Sequence, residues 1–269
     1  MGQLEIVRSL SVEAGQGARF DCPFCGGSNC FSVDKDRGKL KWFCFRASCP
    51  ARGIAEYART PADIRSLLAN TEEFNTRKFV LPDHIMPLSS DEAAVELVRK
   101  YNAMPAYLSK DAGIMFDPKQ RRVVFLIRDV NGAVVGAAGR VLKPGRGVPK
   151  WFRYDGTGLP FVCGKSATAV VVEDALSACA VSPVATGIAL LGTNLQDSYL
   201  PTLKRFDQVI VALDPDAARK SLQLQKTLSF FVKTRVALIK DDLKYFSPPE
   251  IAEMLGVTHE PERGIRAAA

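Results

Sequence analysis

The apolar residues of this chain follow different periods in different stretches, and each period predicts its own kind of element. Strict alternation runs through Phe31-Ser32-Val33-Asp34 and again through Lys39-Leu40-Lys41-Trp42-Phe43, so these segments are expected to pair as a β-hairpin. Ile54-Ala55-Glu56-Tyr57-Ala58-Arg59 reads as a short helix, and the polar stretch after it, with Asn70-Thr71-Glu72-Glu73, as an interdomain linker. Ser89-Ser90-Asp91-Glu92 has the form of a capping box and leads into Ala94, Val95, Leu97, Val98 and Tyr101 at helical spacing. Strands are expected at Gly113–Phe116, Arg122–Ile127 and Val134–Arg140, and Asn131-Gly132 between the last two signals a two-residue hairpin turn. Together they predict a small antiparallel sheet.

From Ala169 the pattern changes. Ala169-Val170-Val171-Val172 is a continuous apolar run, as expected of a strand buried on both faces. A helix over Asp174–Val181, a strand over Pro183–Thr186 and a helix over Asp197–Arg205 follow. Then come a second buried strand over Gln208–Leu213, a helix over Ala217–Phe231 and a third strand over Arg235–Ile239. Strand–helix alternation predicts a parallel sheet covered by helices. Ser247-Pro248-Pro249-Glu250 opens a last helix with an N-cap, proline at N1 and glutamate at N3, and the tail Arg263–Ala269 is expected to fray. The fold class is α/β, α+β overall: a small β domain, a basic antiparallel subdomain and a parallel-sheet subdomain.

Composition narrows this. With 269 residues, 47% of them hydrophobic, the chain can hold one medium domain and one or two small ones. No apolar run reaches transmembrane length, and the start Met1-Gly2-Gln3-Leu4-Glu5 is too polar for a signal peptide. Seven cysteines, four of them in a metal-like pattern, fit a reducing cytoplasm. The net charge is +7, and its placement is more telling: nine Lys/Arg against three Asp between Asp117 and Asp155 give that stretch +6. Such a local excess points to a polyanion, either nucleic acid or nucleoside triphosphates.

The cysteines carry the sharpest signal. Cys22, Cys25, Cys44 and Cys49 form C-x2-C, eighteen intervening residues, C-x4-C. Two tight thiolate pairs on short knuckles, joined by strand-like sequence, suit one tetrahedral structural zinc ion. Cys30 lies outside the pattern, and both histidines, His84 and His259, are far from it in sequence.

Acidic residues follow each buried strand: Glu173 after Val172, Asp214 and Asp216 after Leu213, Asp241 and Asp242 after Lys240. In an open parallel sheet, ligand sites gather beyond the carboxyl ends of the strands. Converging carboxylates repel unless cations neutralise them, and Mg²⁺ takes a few carboxylate oxygens while keeping positions for substrate phosphates. Glu173, Asp214 and Asp216 are therefore candidate catalytic magnesium ligands, with Asp242 preferred to Asp241 as the further acid. Asp174 suits the N-cap of the following helix. Gly158 to Ser166 ends in Gly164-Lys165-Ser166 and imitates a phosphate-binding loop, but its glycines are one residue too far apart and it leads into a strand.

A four-cysteine ribbon, a basic antiparallel stretch, then Val-Val-Val-Glu173-Asp174 and Leu213-Asp214-Pro215-Asp216, in that order, resembles a bacterial-type (DnaG-like) primase with a TOPRIM core. The likeness is greatest to the primase half of the primase–helicases of short-tailed phages, and it covers Cys22 to about Leu255. It implies a zinc ribbon at 1–58, a linker at 59–80, a basic subdomain at 81–165, a TOPRIM subdomain at 166–246 and a C-terminal helix and tail at 247–269. It further implies that Glu173, Asp214 and Asp216 are the TOPRIM acids binding Mg²⁺ or Mn²⁺, with Glu173 a ligand or a general base, and that Asp242 is the later acidic position. Arg140, Lys150 and Arg128 are similar to the basic residues that hold NTP or template phosphates. The chain departs from the usual pattern after Asp216, where Asp216-Ala217-Ala218-Arg219-Lys220 lacks the glycine. The expected activity is RNA primer synthesis on single-stranded DNA for phage replication by two-metal nucleotidyl transfer. Expected partners are template, NTPs, RNA product, a separate replicative helicase and a DNA polymerase, all in the host cytoplasm. A TOPRIM nuclease and a non-catalytic recombination mediator are the alternatives.

Overall fold

The computed structural model describes residues 2–36, 38–57, 63, 79–110, 112–154 and 158–258, and is mixed α+β with several sheets. Most of the predicted linker and the tail Arg263–Ala269 lie outside the described residues. The chain divides into two units, one from described residues within 1–76 with 194–201, the other from those within 77–193 and 202–258.

In the first unit, helix α1 (Gln3–Ser9) precedes strands β1 (Gln16–Phe20), β2 (Phe31–Asp36), β3 (Lys39–Cys44) and β4 (Arg52–Glu56), which pair antiparallel in the order β1-β2-β3-β4. The alternation read in the sequence becomes one buried and one exposed face: Phe31, Val33, Leu40 and Trp42 turn inward. Val7 of α1 joins them, and Trp42 Nε1 donates to Gln3 Oε1 at 2.9 Å. The helix expected over Ile54–Arg59 is instead strand β4 as far as it is described. Ala55 and Glu56 are good helix formers, but pairing with the exposed edge of β3, Lys39 opposite Glu56, overrides local propensity.

The second unit holds two sheets. Strands β5 (Met86–Pro87), β6 (Ile114–Asp117), β7 (Arg122–Arg128), β8 (Val134–Val141) and β9 (Trp151–Arg153) form an antiparallel sheet in sequence order. Its leading helix, α2 (Glu92–Lys100), is capped by Asp91, whose Oδ1 accepts from Ala94 N at 2.9 Å, instead of by the serines of the expected capping box. Helix α3 (Met104–Leu108) follows. The predicted two-residue turn at Asn131-Gly132 is a longer loop over 129–133. Asp129 Oδ1 accepts from Asn131 N and Ala133 N, and a register shift at Ile127/Arg128 accommodates the extra residues.

Strands β10 (Phe161–Cys163), β11 (Thr168–Val172), β12 (Thr186–Ala189), β13 (Gln208–Val211) and β14 (Lys233–Val236) form the other sheet in the order β10-β12-β11-β13-β14. All its pairings are parallel except that of the edge strand β10. Helices α4 (Ala175–Val181), α6 (Ala218–Leu228) and α7 (Pro248–Leu255) accompany it, and α5 (Leu200–Leu203) lies in the chain between β12 and β13. Val170–Val172 and Val209–Val211 are no more than 1% exposed, which explains their unbroken apolar run. Two strands lie a few residues from their predicted places. Residues 183–185 finish the turn of α4, with Val184 N and Ala185 N bonded to Val181 O, so β12 starts at Thr186 opposite Ala169. Strand β14 starts early, at Lys233 opposite Gln208, and Leu238 is left exposed. Gly187 of β12 lies against α4, where a Cβ would stand 2.1 Å from the Ala178 carbonyl oxygen. The two sheets share one core, in which Phe125 of β7 meets Phe161 of β10 edge-on at 5.7 Å. Helix α7 has the predicted Ser247–Glu250 capping box and ends at Gly256 in the left-handed region. No helix among the described residues is long and apolar enough to cross a membrane.

Candidate active site

Two clusters of candidate ligands stand out, one in each unit. In the ribbon, Gly26 in left-handed conformation turns the first knuckle so that its N–H reaches Cys22 O at 2.8 Å. Cys44 leaves β3 into the second knuckle, which closes through Cys49 N to Arg46 O at 3.0 Å. The Sγ atoms of Cys22, Cys25, Cys44 and Cys49 all lie within 4.8 Å of one another, and the Cys22–Cys49 and Cys25–Cys44 pairs are each 3.8 Å apart. A zinc ion with four bonds of ~2.3 Å in a tetrahedron sets neighbouring sulfurs about 3.8 Å apart, so the donors fit one structural zinc. Burial pushes the Cys44 thiol up to about 11, and a metal must displace its proton on binding. Cys30 stands beside the set, its Sγ 3.7 Å from Cys44 Sγ, and donates to Gly27 O at 3.2 Å.

The outward face of the ribbon was not singled out from the sequence. Pairing aligns Arg19, Ser32, Phe43 and Arg52 in one row across the four strands. Phe43 and Phe45 are exposed and meet edge-on at 5.2 Å, with the Arg19 guanidinium 4.6 Å from the Phe45 ring centre. The available signal was the i, i+2 spacing of two aromatics beside a strand whose inward face was already filled.

In the second unit, the neighbouring strands β11, β13 and β14 each lead into an acid. Glu173 directly follows β11, Asp214 follows β13 after Ala212 and Leu213, and Asp242 follows β14 after a short extension. The Asp214 backbone N–H reaches the Glu173 carboxylate, whose Oε1 is buried and has no hydrogen-bond partner among the described residues. Burial raises Glu173 above the usual carboxylate range, and the charges of Asp216, Asp242 and Asp174 add to this. Burial, with a hydrogen bond to Asp242, pushes Asp214 up to about 8. For Asp242 burial acts upward too, but the hydrogen bond from Asp214 and the Lys244 ammonium outweigh it and hold it low. Asp216 is exposed in the 3-10 turn Pro215–Ala217. Asp241 is also exposed and accepts from Asp242 N at 2.8 Å, so Asp242 is the acid turned to the cluster.

Sequence reasoning missed Lys244. Its Nζ lies 3.1 Å from Asp174 Oδ2 and bonds Asp242 Oδ2, and these carboxylates keep it protonated against the effect of burial. Asp174 also caps α4, accepting from Ser177 N at 3.0 Å. Among the described residues no ammonium bonds Glu173 or Asp214; Glu173 accepts from Asp214 N, and Asp214 shares a hydrogen bond with Asp242. A buried, orphaned carboxylate oxygen beside an acid of raised pKa is a donor set suited to a divalent cation.

A cavity of about 280 Å³ is lined by Glu173, Asp174 and Asp214 together with Lys150, Trp151 and Arg153. Arg140 is 7% exposed, its guanidinium lies 5.5 Å from the Trp151 ring centre and 5.9 Å from that of Tyr101, and its Nη1 has no partner. Arg128 lies toward the other end of β7 from Val123, which pairs with Arg140, and its Nη1 donates to Gly132 O at 2.8 Å. Gly164-Lys165-Ser166 joins strands β10 and β11, and Ser166 Oγ accepts from Thr168 N, so no helix follows the imitation phosphate loop. Carboxylates and cations lining one open cavity can hold a divalent cation together with a polyphosphate.

No family model and no curated protein matches the chain. Solved structures it is similar to include DnaG-type primase domains. The zinc-binding and RNA polymerase domains of the Aquifex aeolicus primase align at 18% identity and a TM-score of 0.41, over 95% of this chain and 80% of that one. A DnaG primase catalytic domain bound to single-stranded DNA aligns at 18% identity and 0.43, over 74% and 73%. The RNA polymerase domain of Mycobacterium tuberculosis primase DnaG aligns at 21% identity and 0.40, over 54% and 58%.

Proposed function

We propose that this chain synthesises short RNA primers on single-stranded DNA. The observation that carries the reading is the cavity that Glu173 and Asp214, at the ends of neighbouring parallel strands, line together with Lys150 and Arg153. Glu173, Asp214 and Asp216 would hold Mg²⁺ or Mn²⁺, which when bound polarises the reacting phosphate and favours ionisation of the attacking hydroxyl. Lys150 and Arg140 would bind the triphosphate and stabilise the charge that grows on it as the 3′-oxygen bonds to the α-phosphorus and pyrophosphate leaves. Trp151 keeps Arg140 in place by stacking on its guanidinium. On the ribbon, zinc would fix the knuckles, while Phe43 and Phe45 offer rings to unpaired bases and Arg19 and Arg52 meet phosphates. The division of labour we propose is ribbon at 1–58, linker at 59–80, basic subdomain at 81–165, acid-bearing subdomain at 166–246 and C-terminal helix beyond.

The test is incubation with single-stranded templates covering all trinucleotides, labelled NTPs and Mg²⁺ or Mn²⁺. Template-dependent oligoribonucleotides are expected, and Arg140→Ala and Lys150→Ala should raise the NTP concentration required. Cleavage of DNA without NTP incorporation would replace this reading with a nuclease, and DNA binding with neither reaction would replace it with a mediator.

A further inference from the structure

Lys244 bears on how many cations the acid site accepts. It is 1% exposed and held from several sides. It lies in the 3-10 turn Leu243–Tyr245, between buried Leu243 and the ring of Tyr245, and its carbonyl accepts from Asn102 Nδ2 at 3.1 Å. Its ammonium takes Oδ2 of both Asp174 and Asp242. The other oxygen of each is engaged from α4: Asp174 Oδ1 by Ser177 N at 3.0 Å, Asp242 Oδ1 by Ser177 Oγ at 3.5 Å. All four oxygens of these two acids therefore have protein partners. Glu173 differs, with Oε1 buried and unpartnered.

We infer that Lys244 is a built-in cation standing where a second divalent ion would otherwise sit, so that the site takes one divalent ion, on Glu173 and Asp214. This rests on the metal-assisted reading above. The second ion of the expected two-metal arrangement would have to displace a buried ammonium from two carboxylates or lie beside it, and like charges at such range repel strongly where water is excluded. A lysine differs from a metal in what it supplies: it neutralises and orients Asp174 and Asp242, but it offers no open coordination position to a phosphate or a hydroxyl. One ion is left to contact the reacting groups.

The test is titration of the full, zinc-loaded chain with Mn²⁺ in the absence of NTP, with free Mn²⁺ followed by electron paramagnetic resonance. The wild type should bind one Mn²⁺, Lys244→Arg one, and Lys244→Ala two, because Asp174 and Asp242 are released. Circular dichroism of Lys244→Ala checks its fold. Should that variant not fold, the wild-type and Lys244→Arg stoichiometries still decide. Two Mn²⁺ bound by the wild type would overturn the inference and leave the metal reading intact, as would a folded Lys244→Ala that still binds one. A wild type that binds none would overturn both.

Discussion

Asp214 gives the acid site a pH-dependent effect on stability that one substitution isolates. In the metal-free protein its pKa is pushed up to about 8, by burial first and then by the hydrogen bond to Asp242. An unfolded aspartate titrates near ~3.9. Between these values the native state holds the proton more tightly than the unfolded state, so stability present below about pH 4 is progressively lost as pH rises to about 8. A shift of about four units corresponds to roughly 6 kcal/mol as a ceiling. Asp214 is only half-buried, which screens the effect, and Asp242 shifts the other way in the shared hydrogen bond, so about 2 kcal/mol is the expected size. Asp214→Asn keeps an N–H donor for Asp242 and cannot ionise. Relative to wild type, it should be nearly neutral at about pH 3.5, below the unfolded pKa, and more stable by about 2 kcal/mol at pH 8.5, without added divalent cations. Urea unfolding of both proteins at matched zinc content, followed by circular dichroism at each pH, gives this difference. Adding Mn²⁺ at pH 8.5 should stabilise wild type and leave Asp214→Asn unmoved. A difference that is flat across pH, or a variant less stable than wild type at pH 8.5, would refute the reasoning.

Three further outcomes follow from the geometry. Cys44→Ser should abolish stoichiometric zinc binding and Cys30→Ser should not, by metal analysis of the purified chains. Zinc retained at one equivalent after replacing all four of Cys22, Cys25, Cys44 and Cys49 would exclude the site. Gly187→Ala forces a methyl into the Ala178 carbonyl and should cost about 3 kcal/mol, read as a lowered urea midpoint, and wild-type stability would show that β12 and α4 are not in such contact. Phe43→Ala and Phe45→Ala should each weaken single-stranded DNA binding by about 1–3 kcal/mol in fluorescence anisotropy while leaving zinc content at one, and unchanged affinity in both would remove the ribbon face from template binding.

Elements whose burial is uniform were the most legible in the sequence. Val170–Val172 and Val209–Val211 are covered on both faces, so their apolar runs mark strands without reference to neighbours. The cysteine spacing is likewise local, because each knuckle must return its own pair of thiolates to one point. Strand limits were less legible where another strand sets them: β12 begins where it can pair with Ala169, and β14 begins opposite Gln208, whatever the apolar residues further along suggest. Strand β4 was misread for a related reason. Its alternation has no deeply buried member, Ile54 is exposed, and only the unpaired edge of β3 makes it a strand.

At the acid site, the sequence displays charges but not their burial, and burial decides what each charge does. Asp241 and Asp242 are adjacent and chemically identical, yet only Asp242 faces Lys244 and Asp214, because the 3-10 turn that begins at Leu243 turns it inward. Lys244 reads as one more surface cation in a basic chain. With its stem beside buried Leu243 and its ammonium between Asp174 and Asp242, it is a fixed part of the site. The chain's cations therefore have two physical roles. Lys150 is exposed at the cavity wall and available to a polyanion, whereas Lys244 is already spent on the protein's own acids. Only the first kind contributes to the salt dependence of nucleic-acid or nucleotide binding. The second neutralises Asp174 and Asp242, so a count of acids alone overstates the negative charge left for a cation.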